Sequence, residues 1–498
     1  MKNLNSKYIF IFLLLMFSCS DDFVNVDSQD QNSEDFFNSE ADYQDALIAA
    51  YDPLQSTYLN VMMGEIASDN TLAGGESATD VPGIQEVDDM IHTPINQQLR
   101  DIWGWMYGGV NRANFILEFQ DKTDFPNKNN VLAQARFLRA YYYFELVKWF
   151  GDVPLAVDKR IQFGDQFEIE RTPKTDVYAQ IEQDLIFAAD NLPYVQSQNG
   201  RITKGAAQAL LGKVYLYQNK FSESATVLEN LINNGPYSLV KTTRLVEGLE
   251  IFPIFENDFE NNSESVFEIQ YTDKEGAGFG CLQCSEGNVA VGFNGIRNYT
   301  GPVFESGFSF NVPTQKVVDA FEDGDDVRKN TAILDINSWA DATGATFSTG
   351  FEHTGYFNRK YISRQGDLNT GDANLTNPNN YRAIRFADVL LMAAEALNRG
   401  NISDDRAKLY LNQVRRRAFR VEDASHDVTS TGADLTNAIY HERQVELVGE
   451  GHRFFDLVRT GRAAQEINGF TTGKNEVFPI PSIEIQLAGS RWEQNPGY

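Results

Sequence analysis

Thr203-Lys-Gly-Ala-Ala-Gln-Ala-Leu-Leu-Gly-Lys-Val-Tyr-Leu-Tyr-Gln218, followed shortly by Ser222-Glu-Ser-Ala-Thr-Val-Leu-Glu-Asn-Leu-Ile-Asn233, reads as a helical hairpin. Ala206, Leu210 and Val214 share one face of the first helix, and Ala225, Leu228 and Ile232 share one face of the second. Both spacings follow the helical period. A helix rich in small residues, a short turn and a second amphipathic helix form the unit of a tetratricopeptide-like array. Spacing between such pairs is irregular along the chain, so the expected fold is mostly α, a TPR-like stack rather than a regular repeat.

Outward from this hairpin, helical periodicity dominates. Pro173 to Asn191 reads as a helix capped by Thr172 with Pro at its first position, where a missing N–H costs nothing. Val131, Ala135, Leu138, Tyr142, Leu146 and Trp149 keep helical spacing over Val131 to Phe150, and Gly151-Asp-Val-Pro154 stops that helix. Leu99 to Phe119, with Trp103 and Tyr107, and Asp42 to Tyr58 read as two more. From 236 to 381 the character changes to Gly, Asn, Thr, Phe and Asp. Only Thr314 to Phe321 reads as helical there, and Val266 to Tyr271 alternates like a strand. Helices return at Tyr381 to Asn398, Ser403 to Phe419, Leu435 to Val448 and His452 to Ile467.

The N-terminus carries Lys2 and Lys7, an apolar run from Tyr8 to Phe17, Ser18, Cys19 and then Ser20-Asp21-Asp22. This is the layout of a secretion signal cleaved before a lipid-bearing cysteine. The run is too short to span a bilayer, which needs roughly 20 apolar residues. Met16 stands where lipoprotein signals prefer Leu. The organisation expected is therefore a signal over 1–18, a tether over 19–40 starting at Cys19, a helical region over 41–235, an irregular subdomain over 236–381 and a helical region over 382–498. No later stretch reaches the length of a membrane helix, so the body is expected to be soluble, held to a membrane by lipid.

A formal net charge of −28 repels nucleic acid and anionic lipid and favours neutral partners. Cys281 and Cys284 form a C-x-x-C pair in a Gly-rich stretch. Outside the cytoplasm a local disulfide and free thiols both remain open, whereas zinc would need further ligands that are not near in sequence. Glu442, Glu446 and Glu450 share one helical face close to Arg443, Arg453, Asp456 and Arg459, which points to ion pairs locking helices together. Arg385, Asp388 and Glu395 read the same way. The five histidines show no metal-protease spacing, and His353 is the one placed among aromatic loops. Asp323-Gly-Asp325-Asp326 resembles part of a calcium loop but lacks the series ending in Glu; no cofactor is expected, with calcium the one candidate. P-loop, nucleophile-elbow and dinucleotide motifs are absent.

The 276–360 stretch is loaded with rings: Phe279, Phe293, Tyr299, Phe304, Phe308, Phe310, Trp339, Phe347, Phe351, Tyr356 and Phe357. Sugars present apolar C–H faces that stack on flat rings, and their hydroxyls need short polar partners. Phe279, Tyr299, Trp339 and Tyr356, with Arg359, are accordingly the candidate ligand contacts. Asp69 and Asn70 open a second loop, rich in Gly, Thr and Asp, and join them as candidates.

Several motifs carry a family resemblance. Ala135-Arg-Phe-Leu-Arg-Ala-Tyr-Tyr-Tyr-Phe-Glu-Leu with Gly151-Asp-Val-Pro-Leu resembles the N-terminal half of the RagB/SusD family of Bacteroidetes outer-membrane lipoproteins. Ile384-Arg-Phe-Ala-Asp-Val-Leu-Leu-Met-Ala-Ala-Glu-Ala, Leu411-Asn-Gln-Val-Arg-Arg-Arg-Ala, Glu442-Arg-Gln-Val-Glu-Leu-Val-Gly-Glu-Gly-His-Arg-Phe-Phe-Asp-Leu-Val-Arg and Asn495-Pro-Gly-Tyr extend it, in the family's order, over nearly the whole mature chain. The resemblance implies a SusD-like TPR scaffold carrying an irregular subdomain, and a non-enzymatic lipoprotein facing the cell exterior. It further implies capture of oligosaccharides, neutral and of β-glucan or laminarin type, for a TonB-dependent, SusC-like transporter. Peptide or glycopeptide uptake on the same scaffold and, remotely, a glycosidase are the alternatives. The shared motifs are scaffold motifs, so they carry over no binding residue, although Asp69 matches a recurrent Ser-Asp of the first variable loop.

Overall fold

The computed structural model describes residues 36–162, 164–165, 168–275, 278–365, 372 and 374–498. Cys19 and the start of the tether lie outside the described residues. Phe37 is fully buried, its ring 4.6 Å from Tyr43 and 4.8 Å from Phe115, so the chain is pinned to the body from there on.

Long helices stack in sequence order: Gln97–Glu118, Lys128–Phe150, Lys174–Asn191, Lys204–Tyr217 and Phe221–Asn234, each against the next. Helix Lys204–Tyr217 begins where Thr203 accepts the Ala206 N–H at 3.1 Å, an N-cap that satisfies an otherwise orphaned donor. Small residues set the close approach of the pairs. A Cβ on Gly212 would fall 2.4 Å from Leu228, and one on Gly109 would fall 2.5 Å from the Tyr142 ring. The stack then continues across the intervening segment, because helix Phe386–Arg399 packs on Phe221–Asn234 and is followed by Asp404–Phe419 and Gly432–Leu447. Among the described residues no helix is long and apolar enough to cross a membrane.

Several sequence-based expectations shift. Asp42 to Tyr58 is broken at Pro53 into helix Glu40–Tyr51, a 3-10 turn and helix Tyr58–Ile66, as a proline without N–H requires. Helix His452 to Ile467 is interrupted at Gly461 between Arg453–Arg459 and Ala463–Glu466. Tyr381–Arg385 is a strand rather than the first turn of the following helix; it pairs antiparallel with Ser265–Ile269. Its helical periodicity was an accident of a strand buried on both faces. Within 236–381 the structure also holds helices Asp326–Ala332 and Ile336–Thr343, too short for periodicity to reveal.

The joint between stack and insertion is electrostatic. Arg385, fully buried, donates to Glu450 Oε2 from Nε at 2.8 Å and to Glu446 Oε1 at 3.0 Å, and it also meets Glu264. Lys360 of the insertion reaches Glu450 at 2.6 Å, and Arg328 bonds Glu442, Glu446 and Asp325. The carboxylate ladder is thus consumed by ion pairs. Burial would raise the Glu450 carboxyl, but Arg385 and Lys360 outweigh it and hold it below the ordinary range. The Asp323–Asp326 turn opens helix Asp326–Ala332, with Asp325 committed to Arg328.

Candidate functional site

Strand Thr71–Ala73 pairs antiparallel with Asn311–Pro313, and the pairing runs past the strand into loops. Gly74 N–H donates to Phe310 O at 3.0 Å, Gly75 N–H to Ser309 O at 2.8 Å, and Phe351 N–H to Gly75 O at 2.9 Å. A Cβ on Gly74 would lie 2.0 Å from Ser309 O, and Gly75 has φ +102°. Glycine at both positions is what lets the three backbones meet.

Arg297 ties the same loops from below. Its Nη2 donates to Phe308 O at 2.9 Å, its Nε to Ser309 Oγ at 3.4 Å, and its fork lies 3.8 Å from Asp80. Thr300 and Thr346 exchange N–H···O bonds of 2.9 and 2.8 Å, and Ser348 N–H donates to Arg297 O at 2.9 Å. Asp80 Oδ2 accepts the Glu76 N–H at 2.8 Å, shaping the 74–80 loop. The result is one rigid face built from 74–80, 296–310 and 346–353.

A ladder of rings leads out onto that face. Phe310 and Phe293 stand 5.4 Å apart, Phe293 and Phe308 5.7 Å, and Phe308 and Phe279 5.9 Å. The ladder starts in the core and ends at Phe279, which is 59% exposed. Phe279 sits in the Gly278–Cys281 turn, immediately before the turn that the Cys281–Cys284 disulfide closes. The 74–80, 296–310 and 346–353 segments also expose Glu76, Ser77, Thr79, Asn298, Thr300 and Thr346, which supply polar groups to the face. Phe347 and His353 lie together at 5.8 Å, and burial lowers the His353 pKa, keeping the ring neutral as donor and acceptor. This open face combines an apolar ring with hydroxyls and amides. Among the described residues no group of three or more His, Cys, Asp or Glu side chains is placed to hold a metal.

The sequence-predicted contacts separate. Phe279 is at the face. Tyr299 and Trp339 are buried in a second core with Phe304 and Leu334, where Trp339 Nε1 donates to Tyr299 Oη at 2.9 Å and Tyr299 Oη donates to Pro302 O at 2.7 Å. Their ring faces are covered, so they shape the subdomain from within instead of stacking on a sugar. Arg359 is buried against Glu256 at 3.1 Å. Tyr356 is half-buried, its hydroxyl donating to Gln315 at 3.1 Å. Asp69 is clamped by both arms of Arg453, at 2.7 and 2.9 Å, and by Lys316 at 2.7 Å. Asn70 is fully buried and accepts from Gln444 at 2.9 Å. These two anchor the base of the loop whose tip reaches the face. Sequence reading missed Arg297, Asn298 and Asp80; the doublet Gly74-Gly75 was the available signal for a close crossing of chains.

A larger hollow, of about 440 Å³, lies elsewhere between Ile48, Gln55, Gln198 and Gln270. Its walls carry Asp52, Glu268 and Glu286, and its Tyr51 ring has the Arg201 guanidinium 5.3 Å from its centre.

Comparison with known proteins agrees with this architecture. Residues 253–477 match a model described as the SusD family, and residues 22–216 match one described as starch-binding associating with outer membrane. SusD-like protein P2 of Formosa agariphila is 28% identical over 93% of this chain and 94% of its own length. A laminarin-binding SusD-like protein of known structure is 34% identical, covering 93% of this chain and 100% of the other, with a TM-score of 0.82. Surface glycan-binding protein A from Bacteroides thetaiotaomicron, solved in complex with laminarihexaose, is 27% identical over 92% of this chain and 99% of its own, with a TM-score of 0.79. With its helical stack, its inserted loop subdomain and these likenesses over nearly its full length, the chain belongs to the SusD family.

Proposed function

We propose that this protein captures neutral oligosaccharides of the β-glucan type on the face formed by 74–80, 278–284, 296–310 and 346–353. The observation that carries the reading is the exposed Phe279 ring at the end of a ladder of tilted and edge-on rings, beside a face that is stitched by backbone bonds and exposes hydroxyls and amides. A pyranose lays its C–H face on such a ring and spends its hydroxyls on the surrounding polar groups. The net charge of −28 favours an uncharged glycan. Similarity to the laminarin-binding protein and to the laminarihexaose complex supports laminarin as the type of ligand. Binding rather than hydrolysis is the activity: Glu442, Glu446 and Glu450 are locked in ion pairs, and the Asp80 carboxylate is engaged within its own loop.

In this reading Cys19 carries the lipid that holds the protein at the outer membrane, facing outward, and the captured glycan passes to a TonB-dependent transporter of SusC type. Calorimetric titration of the mature protein with laminarihexaose, with a charged glycan and with a peptide mixture tests the ligand class. Heat from laminarihexaose alone is expected. Saturable binding of peptide with none of glycan refutes the reading. Co-purification of a barrel-sized membrane protein with the lipidated chain tests the partner.

A further inference from the structure

We propose that the Cys281–Cys284 disulfide is the positioning element for the Phe279 ring, so that opening it releases the ring and weakens saccharide binding; this rests on the reading of the loop face as the binding site. Phe279 is 59% exposed and stands between Gly278 and Gly280, and among the described residues nothing beyond their chain neighbours lies within 4 Å of where a Cβ would sit on either. A residue between two open glycines has little intrinsic backbone restraint. Among the described residues its ring neighbour is Phe308, in a tilted contact at 5.9 Å.

What fixes the turn comes from the other side. Ser285 is buried, and its hydroxyl donates to Leu375 O at 2.9 Å. Leu282 packs against the main core. Cys284 adjoins the anchored Ser285, and Cys281 stands two residues from Phe279, so the bridge joins the Leu282 packing and the Ser285 bond into one held turn and fixes the C-terminal end of the segment that bears the ring. The hydrogen bonds that would otherwise do this are long: Cys281 N–H to Gly278 O and Cys284 N–H to Cys281 O are both 3.2 Å. Water competes for such exposed bonds, and their net worth is small. Both cysteines are exposed, so a reductant reaches them. Without the bridge, ordering the ring becomes a cost of binding, which corresponds to about two- to tenfold in affinity.

The test uses the full mature chain with para-fluorophenylalanine at position 279, oxidised and after treatment with dithiothreitol. Each dithiothreitol gives two electrons and two protons to the bridge, leaves two thiols and closes to its own cyclic disulfide. Fluorine NMR without ligand is expected to show a resonance displaced from that of the free amino acid, which moves toward the free position on reduction. In parallel, the Cys281→Ser/Cys284→Ser variant is expected to bind laminarihexaose about two- to tenfold more weakly than wild type, with an unchanged unfolding transition. In a Phe279→Ala background the same pair of changes is expected to have no further effect. A fluorine line unmoved by reduction overturns the proposal, as does an affinity loss that persists undiminished in the Phe279→Ala background. If the oxidised wild type binds no saccharide, the functional reading falls, while the fluorine comparison still decides whether the disulfide positions the ring.

Discussion

Replacing Phe279 by alanine should weaken glycan binding while leaving the fold untouched. The ring is 59% exposed. A phenylalanine side chain carries about 150–250 Å², which leaves roughly 90–150 Å² open to a ligand. A flat sugar covers one face, about half of that. At ~25 cal/mol per Å² the contact is worth about 1–2 kcal/mol, or a five- to thirtyfold change in dissociation constant. Because the ring contributes little to the core, stability should move by less than about 0.5 kcal/mol. Calorimetric titration with laminarihexaose and a urea unfolding curve on the same preparation read both quantities. Unchanged affinity would refute the reasoning, since it would mean that sugar does not lie on the Phe279 ring. A large loss of stability would refute it differently, by showing that the ring is structural.

Other consequences follow from the buried charges and the anchor. Arg385→Met strips the shared partner from Glu264, Glu446 and Glu450 and should cost about 3–5 kcal/mol in urea unfolding; a loss below about 1 kcal/mol would show that Lys360, Arg328 and Arg417, which also pairs with Glu264 and Glu446, compensate. His92 is buried against Phe478 and Tyr498, and burial followed by the Lys474 charge pushes its pKa down to about 4. The unfolded chain takes up this proton first as pH falls below about 6.5, so stability should decline from there, by about 3 kcal/mol at pH 4; His92→Asn should remove that part of the slope. Glu256, which burial would raise but Arg364 and Arg359 draw down to about 2, stabilises fully above the ordinary carboxylate range and loses that contribution as pH falls toward 2. Cys19→Ala should fold normally yet leave the membrane fraction on fractionation; retention there would mean that a partner, not lipid, holds the protein.

The helices of the stack were legible because each is long enough to repeat its apolar face several times, and because Thr203 and Gly151 mark ends by local chemistry. The Glu442–Glu450 ladder was legible as structural for the same reason: its spacing puts like charges on one face, which only opposing arginines tolerate. The loop face was legible in composition but not in membership. Trp339 and Tyr299 carry the same signal as Phe279, namely a ring in a polar, glycine-rich stretch. Which ring is exposed depends on long-range packing against Phe304, Leu334 and Phe357.

What the sequence by itself determined was therefore local: the helical hairpins and the family motifs, both of which depend on neighbours a few residues apart. Tertiary structure alone decided the rest. It turned Tyr381–Arg385 into a strand by offering it Ser265–Ile269, and it closed the stack by laying Phe386–Arg399 on Phe221–Asn234. It also brought Gly75, Ser309 and Phe351 into one crossing, and Phe279 beside Phe308. These are contacts between residues tens to hundreds of positions apart, and their energies come from desolvation and backbone pairing that no short window of sequence contains.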